Sequence, residues 1–208
     1  MTPPNSANGG KAPHAVTAPL FVAGPLRCHE LGAGDLAELQ RFFDANPLYF
    51  HTVNGQPPAR DEASQEFHTD PPPDFSFTRR WLLGFMNESG SMIGMANLSS
   101  DLPAADVWHV GLFIIATARL GSGDAPALYR GLESWIAGQG ARWLRLNVVE
   151  GNARAQRFWQ RCGFVEVRKR HGIEMGARVN TLSVMVKPLS GGTMAEYRAL
   201  VARDRPES

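Results

Sequence analysis

The sequence has few cysteines, no long hydrophobic run and no excess of charge of one sign. Its two cysteines, Cys28 and Cys162, lie far apart and share no metal-ligand spacing with the histidines, so neither a disulfide framework nor a metal site is predicted. The 21 basic and 20 acidic residues give a net charge of +1, which disfavours nucleic acid as a ligand. Without a stretch of about eighteen apolar residues or a signal peptide, we expect a cytoplasmic protein that does not contact membranes.

Composition divides the 208 residues into three parts. Residues 1–18 are rich in Pro, Asn, Gly and Ala, which is typical of a disordered leader. Ser190-Gly191-Gly192 separates residues 190–208 from the body and predicts a short C-terminal tail. Residues 19–189 have the length and apolar content of a single domain with one core.

Hydrophobic periodicity predicts an α/β fold. Leu36, Leu39, Phe42 and Phe43 recur at helical spacing, and a second amphipathic helix is predicted from Asp124 to about Gln139. Apolar and alternating segments between these helices predict strands, including a buried one in VWHVGLFIIA. The predicted order gives a mixed sheet of about seven strands flanked by about four helices.

The segment after the fifth predicted strand follows the pattern N-x-x-A-x-x-F-(Tyr/Trp)-x-x-x-G-F. Its matching residues are Asn152, Ala155, Phe158, Trp159, Gly163 and Phe164. With the element order and a glycine turn after the fourth strand, residues 20–189 resemble the GNAT superfamily of acyl-CoA-dependent N-acetyltransferases. The stretch PLYFHTVNGQPPARDEA also resembles one branch of that family. The resemblance implies a mostly antiparallel sheet and acetyl-CoA as cosubstrate.

The glycine turn aligns with the pyrophosphate-binding pattern of that family, Gln/Arg-x-x-Gly-x-Gly/Ala, over Leu120-Gly121-Ser122-Gly123-Asp124-Ala125. Free amides and the helix dipole make a helix start attractive to anions, and glycine permits positive φ. Leu120 replaces the usual Arg or Gln, although Arg119 is adjacent, and Asp124 places a negative charge near the anion. Alternatively, Asp124 is an N-cap whose carboxylate binds the amides itself.

The resemblance also implies that the backbone of Phe113, Ile114 and Ile115 binds the pantetheine amides and the acyl carbonyl. The alternative is a central strand that is fully hydrogen-bonded on both sides.

The resemblance implies that Asn152 contacts the pantetheine arm, and the alternative is that it caps the last helix. Trp159 stands where many family members have a tyrosine that protonates the leaving thiolate, and an indole cannot do this. We expect Trp159 to pack beside the cofactor with Phe158.

A general base must accept a proton from the amine substrate. His109 is the first candidate, because it precedes the acyl-binding segment and histidine titrates near neutral pH, and Glu150 is the second. Tyr49, Phe50 and His51 would line the acceptor pocket, with His51 a third candidate base. Each of these residues has an alternative structural role, in the core or in a hydrogen bond.

The resemblance predicts an enzyme that moves an acetyl group from acetyl-CoA to a primary amine, on a small molecule or a peptide. We expect Cys162 to pack against the sheet, and His29, beside Cys28, to point to the opposite face of a regular strand. Both expectations favour direct attack in a ternary complex over an acetyl-enzyme. A non-catalytic acyl-CoA-binding or regulatory module and a protein-modifying acetyltransferase remain alternatives. The family also implies a homodimer.

Overall fold

The computed structural model describes residues 18–206, which form one sheet with six α-helices around it. The predicted leader lies outside the described residues apart from Ala18. The strands are β1 (Phe21–Ala23), β2 (Leu26–Glu30), β3 (Arg80–Met86), β4 (Met92–Ser99), β5 (Val107–Ile115), β6 (Trp143–Val149), β7 (Val165–Met175) and β8 (Arg178–Pro188). The helices are α1 (Leu36–Ala45), α2 (Leu48–Val53), α3 (Glu62–His68), α4 (Asp124–Gly138), α5 (Ala153–Arg161) and α6 (Met194–Leu200).

The sheet has the order β1-β2-β3-β4-β5-β6-β8-β7. Every neighbouring pair is antiparallel except β5 and β6, which are parallel and are connected through α4. The predicted mixed, mostly antiparallel α/β fold is therefore confirmed. None of the helices in residues 18–206 is long and apolar enough to cross a membrane.

The sheet has one strand more than the predicted seven because the first predicted strand folds back on itself. Gly24 has a positive φ of 61°, so the chain turns there and β1 pairs with β2 through Val22 and Arg27. After α1 the chain forms the short helix α2, whose Phe50 and Val53 are buried against the core.

Side chains that alternate along the strands divide the core between the two faces of the sheet. On one face, Leu128, Leu132 and Ile136 of α4 pack with the strands and with α5. On the other face, α1, α2 and α3 cover the sheet, with Leu39 and Phe43 fully buried.

The segment after Gly192, predicted as a tail, folds onto this second face. Thr193 and Glu196 form a reciprocal capping box that starts α6, which satisfies otherwise unpaired amides. Tyr197 of α6 is fully buried against the sheet, and Asp204 further along has no exposed surface. Residues 193–206 are therefore part of the domain, because they bury apolar surface and a charged network.

Candidate active site

The two parallel strands at the centre of the sheet separate at their carboxyl ends. β5 and β6 pair from Val107 and Trp143 as far as Val110 and Leu146. Beyond these residues β5 pairs with β4 alone and β6 with β8 alone. The alternative of a fully hydrogen-bonded β5 is therefore wrong, and a cleft lined by backbone groups opens between residues 111–115 and 147–149.

A bulge at Gly111 lies at the point of separation. The pairing of β4 with β5 shifts between Asn97 and Leu98, whose partners are Leu112 and Val110, and this leaves Gly111 without an opposite residue. Such a bulge bends a strand and strengthens its twist, which directs β5 away from β6. Gly111 is exposed in the fifth of eight strands, consistent with an open cleft.

The glycine turn before α4 has the conformation that its sequence predicted. Gly121 and Gly123 have φ values of 85° and 91°, and a Cβ on either would have no heavy atom within 4 Å. Ser122 Oγ donates to the carbonyl oxygen of Arg119 at 2.7 Å, which closes the turn. In the described chain, the amides of Gly121, Gly123 and Ala125 have no hydrogen-bond partner. The turn therefore presents free donors at the start of a fifteen-residue helix.

Asp124 does not use these donors. Gly123 is the N-cap of α4, and no side chain caps the helix, so the alternative in which Asp124 is the cap is wrong. Its Oδ2 atom lies 3.5 Å from Nη1 of Arg119, which offsets part of its charge. Leu120, at the usual Arg or Gln position, is exposed.

The last helix carries the predicted aromatic pair. Asn152 caps α5, since its Oδ1 atom accepts a bond of 3.2 Å from the amide of Ala155. Trp159 is 7% exposed, and its ring meets the edge of Phe113 with centroids 5.6 Å apart. Phe158 stacks on Phe113 at 5.9 Å. Both α5 aromatics thus contact the diverging part of β5, as expected of packing beside the cleft.

A cavity of about 480 Å³ lies on the second face of the sheet, between α3 and the C-terminal segment. Gly111 and Asn147 belong both to the cleft and to the lining of this cavity, so the two spaces meet there. The polar side chains that line it include Glu66, Arg80, Asn97, His109, Arg145 and Arg170. Of these, the sequence singled out only His109.

His109 is held by a buried arginine. Its Nδ1 atom lies 3.2 Å from Nη1 of Arg145. Because arginine only donates, Nδ1 must accept, and the ring hydrogen is assigned to Nε2. Burial, and then the charge of Arg145, lower the pKa of His109 to about 3. With this low pKa, the Nδ1 lone pair occupied by Arg145 and a hydrogen on Nε2, the imidazole is a weak base near pH 7, which disfavours its predicted role as the base.

Glu150, the second predicted base, is exposed beyond the end of β6 and does not line the cavity. It accepts a hydrogen bond from Lys169, and this bond lowers the pKa of its carboxyl group. A carboxylate that is stabilised in this way has a low affinity for the proton of an amine.

Two carboxylates line the cavity in the described residues, the exposed Asp70 and the partly buried Glu66. The Oε1 atom of Glu66 accepts hydrogen bonds from Asn97 and, at 2.8 Å, from Nη2 of Arg80, whereas Oε2 has no partner in the described chain. Burial raises the pKa of Glu66 and outweighs the opposing effects of Arg80 and Asn97. In the sequence, Glu66 follows Ala63 at helical spacing, and a carboxylate on the apolar face of a helix could have indicated a buried role.

The three residues predicted to line the acceptor pocket lie on α2 and outside the lining of this cavity. Phe50 is buried in the core, and Tyr49 packs edge-on against it at 5.3 Å. His51 is exposed. Burial, followed by the carboxylates of Glu66 and Glu62, raises the pKa of Tyr49.

A charged cluster forms the opposite wall of the cavity from Glu66. Arg145, in the middle of β6, binds Asp204 through Nε at 2.7 Å and through Nη2 at 3.2 Å. Asp204 also accepts from Arg170 at 2.8 Å and from the hydroxyl of Tyr197 at 2.6 Å. The single arginine of the mostly apolar strand WLRLNVV indicates a buried partner, but the sequence does not show which residue it is.

Comparison with known proteins identifies one family. The family model described as "Acetyltransferase (GNAT) family" matches residues 39–164, more than half of the chain. An acetyltransferase from Thermus thermophilus is 25% identical, with a TM-score of 0.63 over 80% of this chain and 99% of that one.

More distant structures share the fold. A spermidine N-acetyltransferase from Vibrio cholerae, in complex with CoA and spermine, is 18% identical with a TM-score of 0.61, over 80% of this chain and 96% of that one. An aminoglycoside acetyltransferase in complex with coenzyme A is 17% identical with a TM-score of 0.59, over 78% of this chain and 94% of that one. No curated protein matches the sequence.

Proposed function

Because this chain belongs to the GNAT family of acetyltransferases, we propose that it transfers an acetyl group from acetyl-CoA to a primary amine by direct attack in a ternary complex. Solved structures of the same fold carry the names of enzymes that act on amines, spermidine and aminoglycosides among them. The observation that carries the proposal is the cleft between β5 and β6, which meets, at Gly111 and Asn147, a cavity that contains the partly buried carboxylate of Glu66.

The described residues fit acetyl-CoA. The free amides of Gly121, Gly123 and Ala125 would bind the pyrophosphate, and the open space at both glycines admits its oxygens. Residues 113–115 pair with β4 on one edge only, and their backbone groups on the edge that faces β6 would bind the pantetheine amides and the acetyl carbonyl oxygen. Backbone donors at that oxygen stabilise the negative charge that develops during attack. When bound, acetyl-CoA supplies an acetyl group activated as a thioester.

Glu66 is our candidate for the general base, in place of His109 and Glu150. Its carboxyl group has a raised pKa, lines the cavity beside the cleft and keeps Oε2 available for a proton. Arg80 and Asn97 hold Oε1 and so fix the orientation of the group. Glu66 would accept the proton of the incoming ammonium, directly or through one water molecule.

Trp159 has no acidic proton to give to a departing thiolate. A thiolate is a stable leaving group, so a water molecule in the open cleft suffices as the proton donor.

A binder without catalytic activity would have the same cleft, and a protein-modifying enzyme would need the cleft to admit a peptide. Pro71, Pro72 and Phe75 border the cavity from the loop after α3, which favours a small acceptor over a peptide.

The test combines binding with turnover. Calorimetry with acetyl-CoA should show one site per chain, and a panel of primary amines should release free CoA thiol with formation of the matching acetamide, identified by mass. Binding without thiol release from any amine would favour the non-catalytic alternative. Absence of acetyl-CoA binding by a folded protein would contradict the proposal. The homodimer that the family implies stays a prediction, which a mass from solution scattering would check.

A further inference from the structure

Three arginines line one wall of the acceptor cavity, and they come from different parts of the chain. Arg145 lies on β6, Arg170 on β7 and Arg203 in the turn after α6. The side chain of Arg145 is only 4% exposed, and its charge shares a single buried carboxylate, that of Asp204, with Arg170. A buried guanidinium requires a counter-charge and acceptors for its hydrogens.

The hydrogen bonds of this wall leave donors unused. Within the described residues, each of the three side-chain nitrogens of Arg145 has one hydrogen-bond acceptor. Because Nη1 and Nη2 each carry two hydrogens, one hydrogen on each of them has no acceptor there. Nε of Arg170 is buried and has no acceptor among residues 18–206. In the described residues, Arg170 donates through Nη2 alone, to Asp204 and to the carbonyl oxygen of Arg203. An additional acceptor in the cavity would therefore find several donors.

The charges of this wall do not balance. Arg203 lies 3.5 Å from Asp74, whose side chain is 64% exposed, and its guanidinium stacks on Phe75 at 3.8 Å. Among residues 18–206, Asp204 and Asp74 thus face three arginines, which leaves one positive charge in excess. Burial and the charge of Arg170 lower the pKa of Arg203, as expected in a positive field.

The other acidic groups that line the cavity in the described part of the chain do not remove this excess. Glu66 forms an ion pair with Arg80 on the other side of the cavity from the arginine wall. Asp70 is exposed on the bordering loop, where water and salt screen its charge. A polycationic acceptor would therefore bring further positive charge close to the three arginines. An acceptor with one negative group would instead neutralise the excess positive charge of the wall.

We propose that the acceptor is an amine that also carries a carboxylate, which the wall formed by Arg145, Arg170 and Arg203 binds while the ammonium group approaches Glu66. This inference rests on the proposed function and specifies its substrate class. A guanidinium binds a carboxylate through parallel hydrogen bonds. The single excess charge matches a carboxylate better than a phosphate, which carries about −1.5 to −2 near pH 7.

The test compares acceptors that differ in one group. Amino acids and ω-amino carboxylates are assayed beside their carboxamides and the corresponding aminoalkylphosphonates, with acetyl-CoA saturating. We expect kcat/KM for the best carboxylate to exceed that of its carboxamide by about 10- to 100-fold, the range for hydrogen bonds to a charged group. Equal values for the pair, or a tenfold preference for the phosphonate, would overturn the proposal.

Variants then locate the effect. Arg203→Gln should raise KM for the carboxylate by about tenfold and change the carboxamide less than about threefold, and Arg170→Gln should do the same if it folds. Arg79→Gln is the matched control, because Arg79 is exposed and pairs with Glu30 outside the cavity. An equal loss for both acceptors in Arg203→Gln would contradict the assignment.

The two proposals fail in different ways. If no amine releases CoA thiol although acetyl-CoA binds, the proposed function fails, and calorimetry of the carboxylates on the CoA-loaded protein still tests the arginine wall. If carboxamides are acetylated as well as carboxylates, the function holds and the substrate class is wrong.

Discussion

The guanidinium of Arg145 and the carboxylate of Asp204 are joined by two hydrogen bonds, although 59 positions separate them in the chain. Arg145 belongs to the central strand beside the cleft, and Asp204 lies in the last turn of the described chain. Their contact makes the C-terminal segment a structural part of the acceptor cavity, since Asp204 positions two of the arginines that line it.

Replacing Asp204 by asparagine should strongly destabilise the fold. The substitution leaves the buried charge of Arg145 without its counter-ion, a change that costs about 3–5 kcal/mol in comparable buried pairs. We expect the free energy of unfolding in urea to fall by that amount. Asp74→Asn, which removes an exposed carboxylate that pairs with Arg203, should change it by less than about 1 kcal/mol. Similar losses in the two variants would contradict the structural role of Asp204.

The same carboxylate predicts how stability depends on pH. Burial alone would raise the pKa of Asp204, but hydrogen bonds and charge from Arg145, with further bonds from Tyr197 and Arg170, lower it well below its usual range. A depressed folded-state pKa contributes stability above the unfolded value of about 3.9 and loses it as the pH falls below that value. Unfolding free energies measured from pH 6 to pH 2 should therefore decline more steeply for the wild type than for Asp204→Asn.

The glycine turn can be tested with a pair of matched substitutions. Gly123→Asp should abolish the binding of acetyl-CoA measured by calorimetry, because it adds a negative charge and a side chain where the pyrophosphate would lie. Gly140→Asp is the control: Gly140 has a φ of 93°, close to the 91° of Gly123, and no heavy atom would approach an added Cβ at either position. Both variants carry similar backbone strain, of about 1–2 kcal/mol, at opposite ends of α4.

A loss of affinity in Gly123→Asp alone would support the turn as the pyrophosphate site. Equal losses in both variants would assign the effect to instability, and unchanged affinity in both would contradict the placement. The unfolding temperatures of the two variants without ligand are compared, and similar values show that the two substitutions destabilise the fold to the same extent.

Glu66→Gln tests the base that we propose. Glutamine keeps an oxygen that can accept from Arg80 and Asn97 but cannot accept the proton of the amine. We expect kcat to fall by about 10²- to 10⁴-fold, the range for general base catalysis, with acetyl-CoA affinity unchanged. The wild type is active only where the pH exceeds the raised pKa of Glu66, because the base must be ionised. The fall of kcat/KM at acidic pH that this titration causes, the acidic limb of the profile, should therefore disappear in the variant.

Glu62→Gln is the control on the same helix, since Glu62 accepts from the amide of Ala59 and does not line the cavity. It should keep the rate within about threefold and retain the acidic limb, which should move slightly to lower pH because the charge of Glu62 contributes to the raised pKa of Glu66. An unchanged acidic limb in Glu66→Gln would assign the base to another group, His109 included.

What the sequence predicted well is local. The turn over Gly121 and Gly123 depends on neighbouring residues, as does the cap at Asn152, which was the alternative to a pantetheine contact, and the structure has both. The separation of β5 from β6 was expected from the family resemblance, and the bulge at Gly111 supplies its physical reason.

What the sequence missed depends on contacts over long distances. Asp204 lies in a segment whose composition resembles a tail, and only its partners on β6 and β7 show that it is buried. Likewise, His109 on its own titrates near neutral pH, and it is burial beside Arg145 that lowers its pKa. Composition and periodicity carry no information on which distant side chain becomes a partner.

The last prediction concerns direct transfer without an acetyl-enzyme intermediate. A covalent route needs a reactive thiolate at the acetyl group. Cys28 is fully buried on β2, and burial strongly raises the pKa of its thiol. Because β2 is separated from β5 by β3 and β4, and strands lie about 4.8 Å apart, Cys28 is on the order of 14 Å from the cleft.

Cys162 follows α5, and burial raises the pKa of its thiol to about 11. At neutral pH, both cysteines are therefore present as thiols of low nucleophilicity. The double variant Cys28→Ala with Cys162→Ala should keep kcat within about tenfold, equivalent to less than about 1.4 kcal/mol in the barrier. Mass spectrometry of the wild type quenched with acetyl-CoA and no amine should detect no acetyl-cysteine. A loss of several orders of magnitude in the folded double variant, together with a trapped acetyl group on either cysteine, would establish the covalent route instead.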